Sequence, residues 1–466
     1  MMASQQPGIG KAVVGKSEKE KAKEKKTGVK ITAAIFFDGT GNNQSNVEKR
    51  LKDPEYMVSH WYEVTAKRES YEQYYSNVAI LFFMQQKKIA GERIAPVYME
   101  GIGTTNDGGD DRPGSGFGTG PTGIVNRVSL GIDRLKENII KLYKPDREYI
   151  KELNVYVFGF SRGAAAARHF IARRYNSRNR RNNLCQALGV DPAVVTIKFA
   201  GLFDSVSSFD EVGDKAEDSR FAGKAVRHAT YGGDDDFKND VTELHLTLDD
   251  ERLEKVVHFV AADEYRVNFS STTIASARQR GIGCEFYLPG AHSDIGGGYA
   301  QLVEEERTYS GVLNTSTAFP FFEQAGWYGP EQLTRTTFTN RGSSEQTAVV
   351  GKRRVPLRYQ YVALSMMLKL AAQSGLRFAS PNADVQRGIK YVIGPGDPLA
   401  ALKAQLEGFV LAHAAPGPAA HRPPLAPAAY RWLRQHYLHL SWSQDLGMEL
   451  RLDQKTQLPI RLSLPG

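Results

Sequence analysis

Asn154-Val-Tyr-Val-Phe-Gly-Phe-Ser-Arg-Gly-Ala-Ala-Ala-Ala-Arg168 reads as a strand, a sharp turn and the start of a helix. Val155 to Phe158 is an apolar run of the kind a buried strand carries, and Ala164 to Ala167 are strong helix formers. Between them, Gly159-Phe-Ser-Arg-Gly163 matches G-x-S-x-G, and the strand–turn–helix setting makes that match a nucleophile elbow. Ser161 is expected in a strained turn that exposes its hydroxyl, with glycine on either side so that strand and helix pass closely. The Arg162 amide then points from the positive end of the helix at the place where an oxyanion forms. An incidental serine in an ordinary turn is the plainer alternative. The run of small residues after the turn favours the elbow, because it lets the helix lie tight on a sheet.

The full chain of 466 residues is 24% charged and 41% hydrophobic, the balance of a globular protein, and it is long enough for one large α/β domain with insertions. No apolar run reaches the ~18 residues of a membrane span. Cys185 and Cys284 are too few for a disulfide framework and are expected as reduced core thiols. The first 28 residues show no basic region followed by an apolar one, so no Sec-type signal is expected. The net charge of +8 owes much to residues 11–30, where eight lysines face three glutamates. Residues 1–28 are expected to be a disordered Lys-rich tail. With the remainder only mildly basic, and no basic cluster interleaved with aromatics, a nucleic-acid partner is not expected. No cofactor or metal motif stands out.

Val29 to Phe37 is a buried-strand candidate ending in Asp38-Gly-Thr-Gly-Asn-Asn43. A glycine-rich loop at a strand's carboxyl end is where open α/β sheets place ligands, and Gly39 is the candidate second oxyanion donor. Residues 55–90 suggest one helix with Val78 to Phe83 on its buried side. Further strands are expected at Ala95 to Met99, Val194 to Phe203, Val256 to Ala262 and Cys284 to Leu288, with a helix at Ile124 to Tyr143. The expected architecture is α/β-hydrolase-like: a doubly wound, mostly parallel sheet with cap or lid insertions. Residues 29–300 form its catalytic core, with a possible insertion at 207–245. Residues 301–466 hold a cap insertion and a C-terminal helical part, with a proline-rich exposed loop at 414–429 and a terminal helix from Tyr430 to Ser441. Phe319, Phe321, Phe322 and Trp327 make 300–357 a candidate lipid-facing cap, although the same aromatics also suit a core. Tyr361, Leu364, Met367, Leu368 and Ala371 share one helical face and are expected in the core.

A serine nucleophile needs a base and an acid that orients it. Among the ten histidines, His292 follows a strand candidate and enters a glycine-rich loop. Asp204 and Asp263 each end a strand between Ser161 and His292, and chain order does not decide between them. Asp38 and Asp294 are further candidates for a supporting or alternative acid.

Phe36-Phe-Asp-Gly-Thr-Gly-Asn-Asn43, Gly159-Phe-Ser-Arg-Gly-Ala164, Gly201-Leu-Phe-Asp-Ser-Val206 and Gly290-Ala-His-Ser-Asp-Ile-Gly-Gly-Gly-Tyr299 stand in the order of one family. The chain resembles the uncharacterised α/β-hydrolase domain family that includes the first class of type VI secretion lipase effectors. Weaker echoes are Ala262-Asp-Glu-Tyr-Arg266 and Tyr437-Leu-His-Leu-Ser441. The resemblance implies a triad of Ser161, Asp204 and His292 and phospholipase A activity on membrane phospholipid. It also implies synthesis in the bacterial cytoplasm and delivery by the type VI machine into a target cell's periplasm. The implied partners are secretion spike or chaperone proteins and a cognate immunity protein. Stopping soon after Ser441, the chain is expected to lack the membrane-anchoring domain of larger relatives. The alternatives are a soluble carboxylesterase or thioesterase acting on small acyl esters, and a catalytically silent binding module.

Overall fold

In the computed structural model the described residues are 26–53, 69–111, 118–175, 183–207, 240–309, 318–339, 345–379, 391–443 and 448–466. The Lys-rich tail and most of the 207–245 insertion therefore lie outside the described residues. In chain order the first strands are β1 (Thr27–Phe37), β2 (Ile94–Met99), β3 (Glu148–Phe160), β4 (Val195–Phe203), β5 (Val256–Ala261), β6 (Ser271–Thr272) and β7 (Gly283–Leu288). Next come β8 (Leu302–Tyr309), β9 (Leu333–Thr339), β10 (Glu345–Pro356), β11 (Ala420–His421) and β12 (Ser463–Leu464). The central sheet has seven strands in the order β11-β7-β5-β4-β3-β1-β2, and every pairing in it is parallel. The chain runs outward from β1 to β2, then returns to lay β3 on the other side of β1. That reversal is a topological switch point, and it brings the carboxyl ends of β1 and β3 side by side.

Strand side chains alternate between two buried layers. Ala33, Ile35, Phe37, Val155 and Val157 face the layer that contains helices α2 (Ile124–Ile140) and α3 (Arg162–Ala172). Ala34, Phe36, Phe158, Phe199, Phe259 and Phe286 face the opposite layer, with α1 (Asn77–Met84) and α4 (Gln360–Gln373). Both faces are covered, which explains why these strands read as near-continuous apolar runs. On the second face a series of rings crosses the sheet. Phe36 stacks on Phe158 at 4.9 Å, Phe158 meets Phe199 at 5.8 Å, and Phe259 meets Phe203 at 6.1 Å and Phe286 at 6.0 Å. Tyr361, Leu364, Met367 and Ala371 of α4 are buried there, as a core face requires. Cys185 and Cys284 are free and buried.

Four expectations need correction. The single helix expected at 55–90 is, among the described residues, two shorter helices at Glu69–Glu72 and α1; Ser76 breaks the run by capping α1 through the Ala79 amide. The proline-rich stretch 414–429 is mostly exposed, as expected, but it is not all loop: Ala420–His421 form β11 at the sheet edge. Within 300–357, β8, β10 and β9 form a separate antiparallel sheet. The aromatics of this segment, carried by the helix Ala318–Gln324 and the turn after it, point inward: Phe322 and Trp327 are inaccessible, Phe319 is buried, and Phe321 packs edge-on against Tyr265. A small sheet must cover one of its faces, and these rings, with Tyr309, Tyr328 and Trp442, form that cover. Finally, the chain beyond Ser441 packs back on the segment between β5 and β7, where β12 and β6 form a separate two-stranded sheet. Leu450 bridges Arg266 there.

Among the described residues no helix is long and apolar enough to cross a membrane.

Candidate active site

Ser161 sits between β3 and α3 with φ 60° and ψ −131°. A serine in this region carries strain of about 1–3 kcal/mol, which the surroundings must hold. They do so through the backbone: the Ser161 amide donates to Phe203 O at 3.0 Å, and Ser161 O accepts from Ala164 at 2.9 Å. The flanking glycines are required by contact. A Cβ on Gly159 would lie 2.4 Å from Gly163 O, and one on Gly163 would lie 2.3 Å from Asp38 O. Strand, helix and the end of β1 thus meet with no room for a methyl group. Arg162 occupies the first position of α3, and its Nε donates to Thr40 Oγ1 at 2.8 Å, tying the elbow to the β1 loop.

Asp204 follows β4 directly, at φ 41°. Its Oδ2 lies 2.5 Å from His292 Nδ1, and its Oδ1 accepts the Ala261 amide at 2.9 Å. The His292 ring is held between Phe160 at 4.6 Å and Phe269 at 4.9 Å. A Cβ on Gly296, in the same short turn as His292, would lie 2.0 Å from the Phe160 ring, so only glycine lets the turn close on the elbow. Burial lowers the proton affinity of His292, with Asp204 opposing, and the net direction is downward. Ser161 and His292 are only 5% and 4% exposed, so both groups are closed off from bulk water.

The remaining candidates occupy other positions. Asp263 is not against His292. Its carboxylate accepts from Gly290 N, Tyr430 Oη and Arg434 Nη2, each at 2.7 Å, joining the His292 loop to helix α5 (Pro427–His436). Asp294 accepts from His439 Nδ1 at 2.6 Å and from the Ala291 amide at 2.9 Å. Asp38 accepts from Ser76 Oγ at 2.5 Å, Tyr98 Oη at 2.6 Å and the Gly39 amide at 2.8 Å. Burial nevertheless pushes its carboxyl up to about 6. The Gly39 amide is therefore engaged by the neighbouring carboxylate, not presented to the elbow as the sequence reading expected.

Three charged residues escaped the sequence reading. Glu264 accepts the His292 amide at 3.1 Å, Ser441 Oγ at 2.9 Å and Arg266 Nη2 at 2.9 Å. Burial raises its carboxyl, but Arg266, Arg461 and His292 together hold it at about 2. Arg461 grips Asp204 with both terminal nitrogens, at 2.7 and 2.8 Å. Burial pushes the Asp204 carboxyl up; Arg461 and His292 more than offset this and hold it well below the usual range. Glu264 and Arg266 lie in one of the weaker family blocks, which was a usable signal. Arg461 follows no strand, repeat or motif. Among the described residues no group of three His, Cys, Asp or Glu side chains is placed to hold a metal.

A parallel sheet with a switch point, and a serine, an aspartate and a histidine on its strand ends, define an α/β-hydrolase-like protein. The family model for the catalytic domain of Tle1-like phospholipase effectors of the type VI secretion system (T6SS) matches residues 32–176 and 172–314. The chain belongs to this family, which places it among the lipolytic effectors of type VI secretion. Over 95% of this chain and 94% of the other, the fold is similar to that of a Tle1 effector solved bound to the VgrG spike, with TM-score 0.55 and 20% identity. An uncharacterized protein from Pseudomonas aeruginosa aligns with 87% of this chain and 53% of its own, at TM-score 0.44 and 16% identity. No curated protein matches.

Proposed function

We propose that the chain is a serine phospholipase of the A type, releasing fatty acid from membrane glycerophospholipid through an acyl-enzyme. The observation that carries this reading is the 2.5 Å contact between His292 Nδ1 and Asp204, at strand ends beside the strained Ser161 elbow. With Nδ1–H held by Asp204, His292 Nε2 is the free base. Ser161 Oγ attacks the ester carbonyl carbon and its proton passes to Nε2. The oxyanion is stabilised by the Arg162 amide at the amino end of α3. The carbon–oxygen bond then breaks, and the leaving alkoxide of the lysophospholipid takes the proton from His292. Water, deprotonated by the same nitrogen, attacks the acyl carbon; the bond to Ser161 Oγ breaks, Oγ takes the proton back from His292, and the fatty acid leaves. The contact between His292 and Asp204 beside the elbow is more than a silent binding module needs. Family membership and the Tle1–VgrG complex support delivery on a spike protein; the target periplasm as destination and an immunity protein as cognate inhibitor are further parts of the proposal. The test is release of labelled acyl chains from phospholipid vesicles labelled at one glycerol position or the other. Wild type is expected to release fatty acid, and Ser161→Ala is not. Cleavage of small soluble esters without vesicle hydrolysis would support the esterase reading instead.

A further inference from the structure

Residues 448–466 run back as a strap along the segment between β5 and β7. Val267 N donates to Glu449 O at 3.0 Å, Arg451 N donates to Tyr265 O at 2.7 Å, and Ser271 N donates to Leu462 O at 2.9 Å. Arg461 lies between these attachments, and four contacts use its donors. Nε reaches Phe269 O at 2.8 Å, Nη1 reaches Ala261 O at 2.9 Å and Asp204 Oδ1 at 2.7 Å, and Nη2 reaches Asp204 Oδ2 at 2.8 Å. A guanidinium fork matched to one carboxylate fixes that carboxylate in plane and register. Asp204 Oδ2 is thereby shared between Arg461 and His292 Nδ1.

The charges around His292 form a balanced set. Asp204 and Glu264 are the carboxylates, and Arg461 and Arg266 are the cations. Outside them, Asp263 pairs with Arg434 and Glu285 with Arg278, while Asp294 is bonded to the His439 ring and Glu285 to the His258 ring. We infer that Arg461 is a positioning residue for hydrolysis: it orients Asp204 and cancels enough of its charge to keep His292 neutral, and hence basic, at lower pH. This rests on the assignment of Asp204 and His292 to the reaction. A staple that only anchors the strap would use the same hydrogen bonds, but its loss would leave the proton affinity of His292 unaltered.

The sign follows from the charge balance. Replacing Arg461 with an uncharged residue leaves a net negative set around the imidazole. The imidazolium is then stabilised, and His292 titrates at higher pH. The acid limb of kcat/KM in Arg461→Gln should move up by about one unit or more, the effect of a like charge removed from close range of the imidazolium. Arg461→Lys keeps the charge and should keep the limb near its wild-type position, while losing kcat because the fork is gone. The His292 titration, followed by nuclear magnetic resonance with labelled histidine, should move in the same direction in the Ser161→Ala/Arg461→Gln protein. This second reading needs no activity, so it separates failure of this inference from failure of the serine mechanism. Should Arg461→Gln not fold, Arg461→Lys decides: an acid limb displaced as far as one unit would overturn the inference. A folded Arg461→Gln protein in which neither limb nor titration moves would overturn it as well.

Discussion

Replacing Ser161 with alanine should abolish labelling by a fluorophosphonate probe together with vesicle hydrolysis; labelling that persists would move the nucleophile elsewhere. The two acids of the sequence reading separate at this scale. Asp204→Asn should lower kcat by about 10⁴-fold, the effect of the same change on a serine protease triad, with circular dichroism unchanged. Asp263→Asn instead loosens the bond network between the Gly290 loop and α5. It should lower the melting temperature more than it lowers kcat, and a larger kcat loss than that of Asp204→Asn would exchange their roles. Ser161 and His292 were legible because a glycine-rich turn after an apolar run is a local pattern. The choice between Asp204 and Asp263 was not local. It depends on which carboxylate faces Nδ1 across 88 residues of sequence, and only the family resemblance favoured Asp204.

At the scale of elements, the elbow depends on three backbone segments meeting without a side chain between them. Gly163→Ala would press a methyl group onto Asp38 O, and it should cost about 1–3 kcal/mol or more by overpacking. Chemical denaturation measures that cost, and a variant as stable as wild type would show that the β1 loop yields. The buried strands were readable because both faces of the sheet are covered, which turns each strand into an apolar run. The short helices after residue 69 were not, since mixed tyrosines and apolar residues have no clean period and the Ser76 cap is a single-residue signal. Phe319, Phe322 and Trp327 illustrate a second limit. Composition identifies an aromatic cluster but not the direction it faces, and here a three-stranded sheet closes over it.

For the whole molecule, that burial changes what a lipid-contact experiment should find. Phe322→Ala should destabilise the protein by about 3–5 kcal/mol, the cost of emptying a large core site. A variant that keeps its melting temperature but loses vesicle binding would restore the cap reading. The strap has another consequence, in the order of synthesis. Asp204 is 88 residues from His292 and 257 from Arg461. A chain leaving the ribosome amino end first presents Ser161, then Asp204, then His292, and presents Arg461 last. The central sheet, apart from its edge strand β11, is available to fold before the strap has been made. The nascent protein therefore holds Ser161, Asp204 and His292 for a time without the guanidinium that grips Asp204.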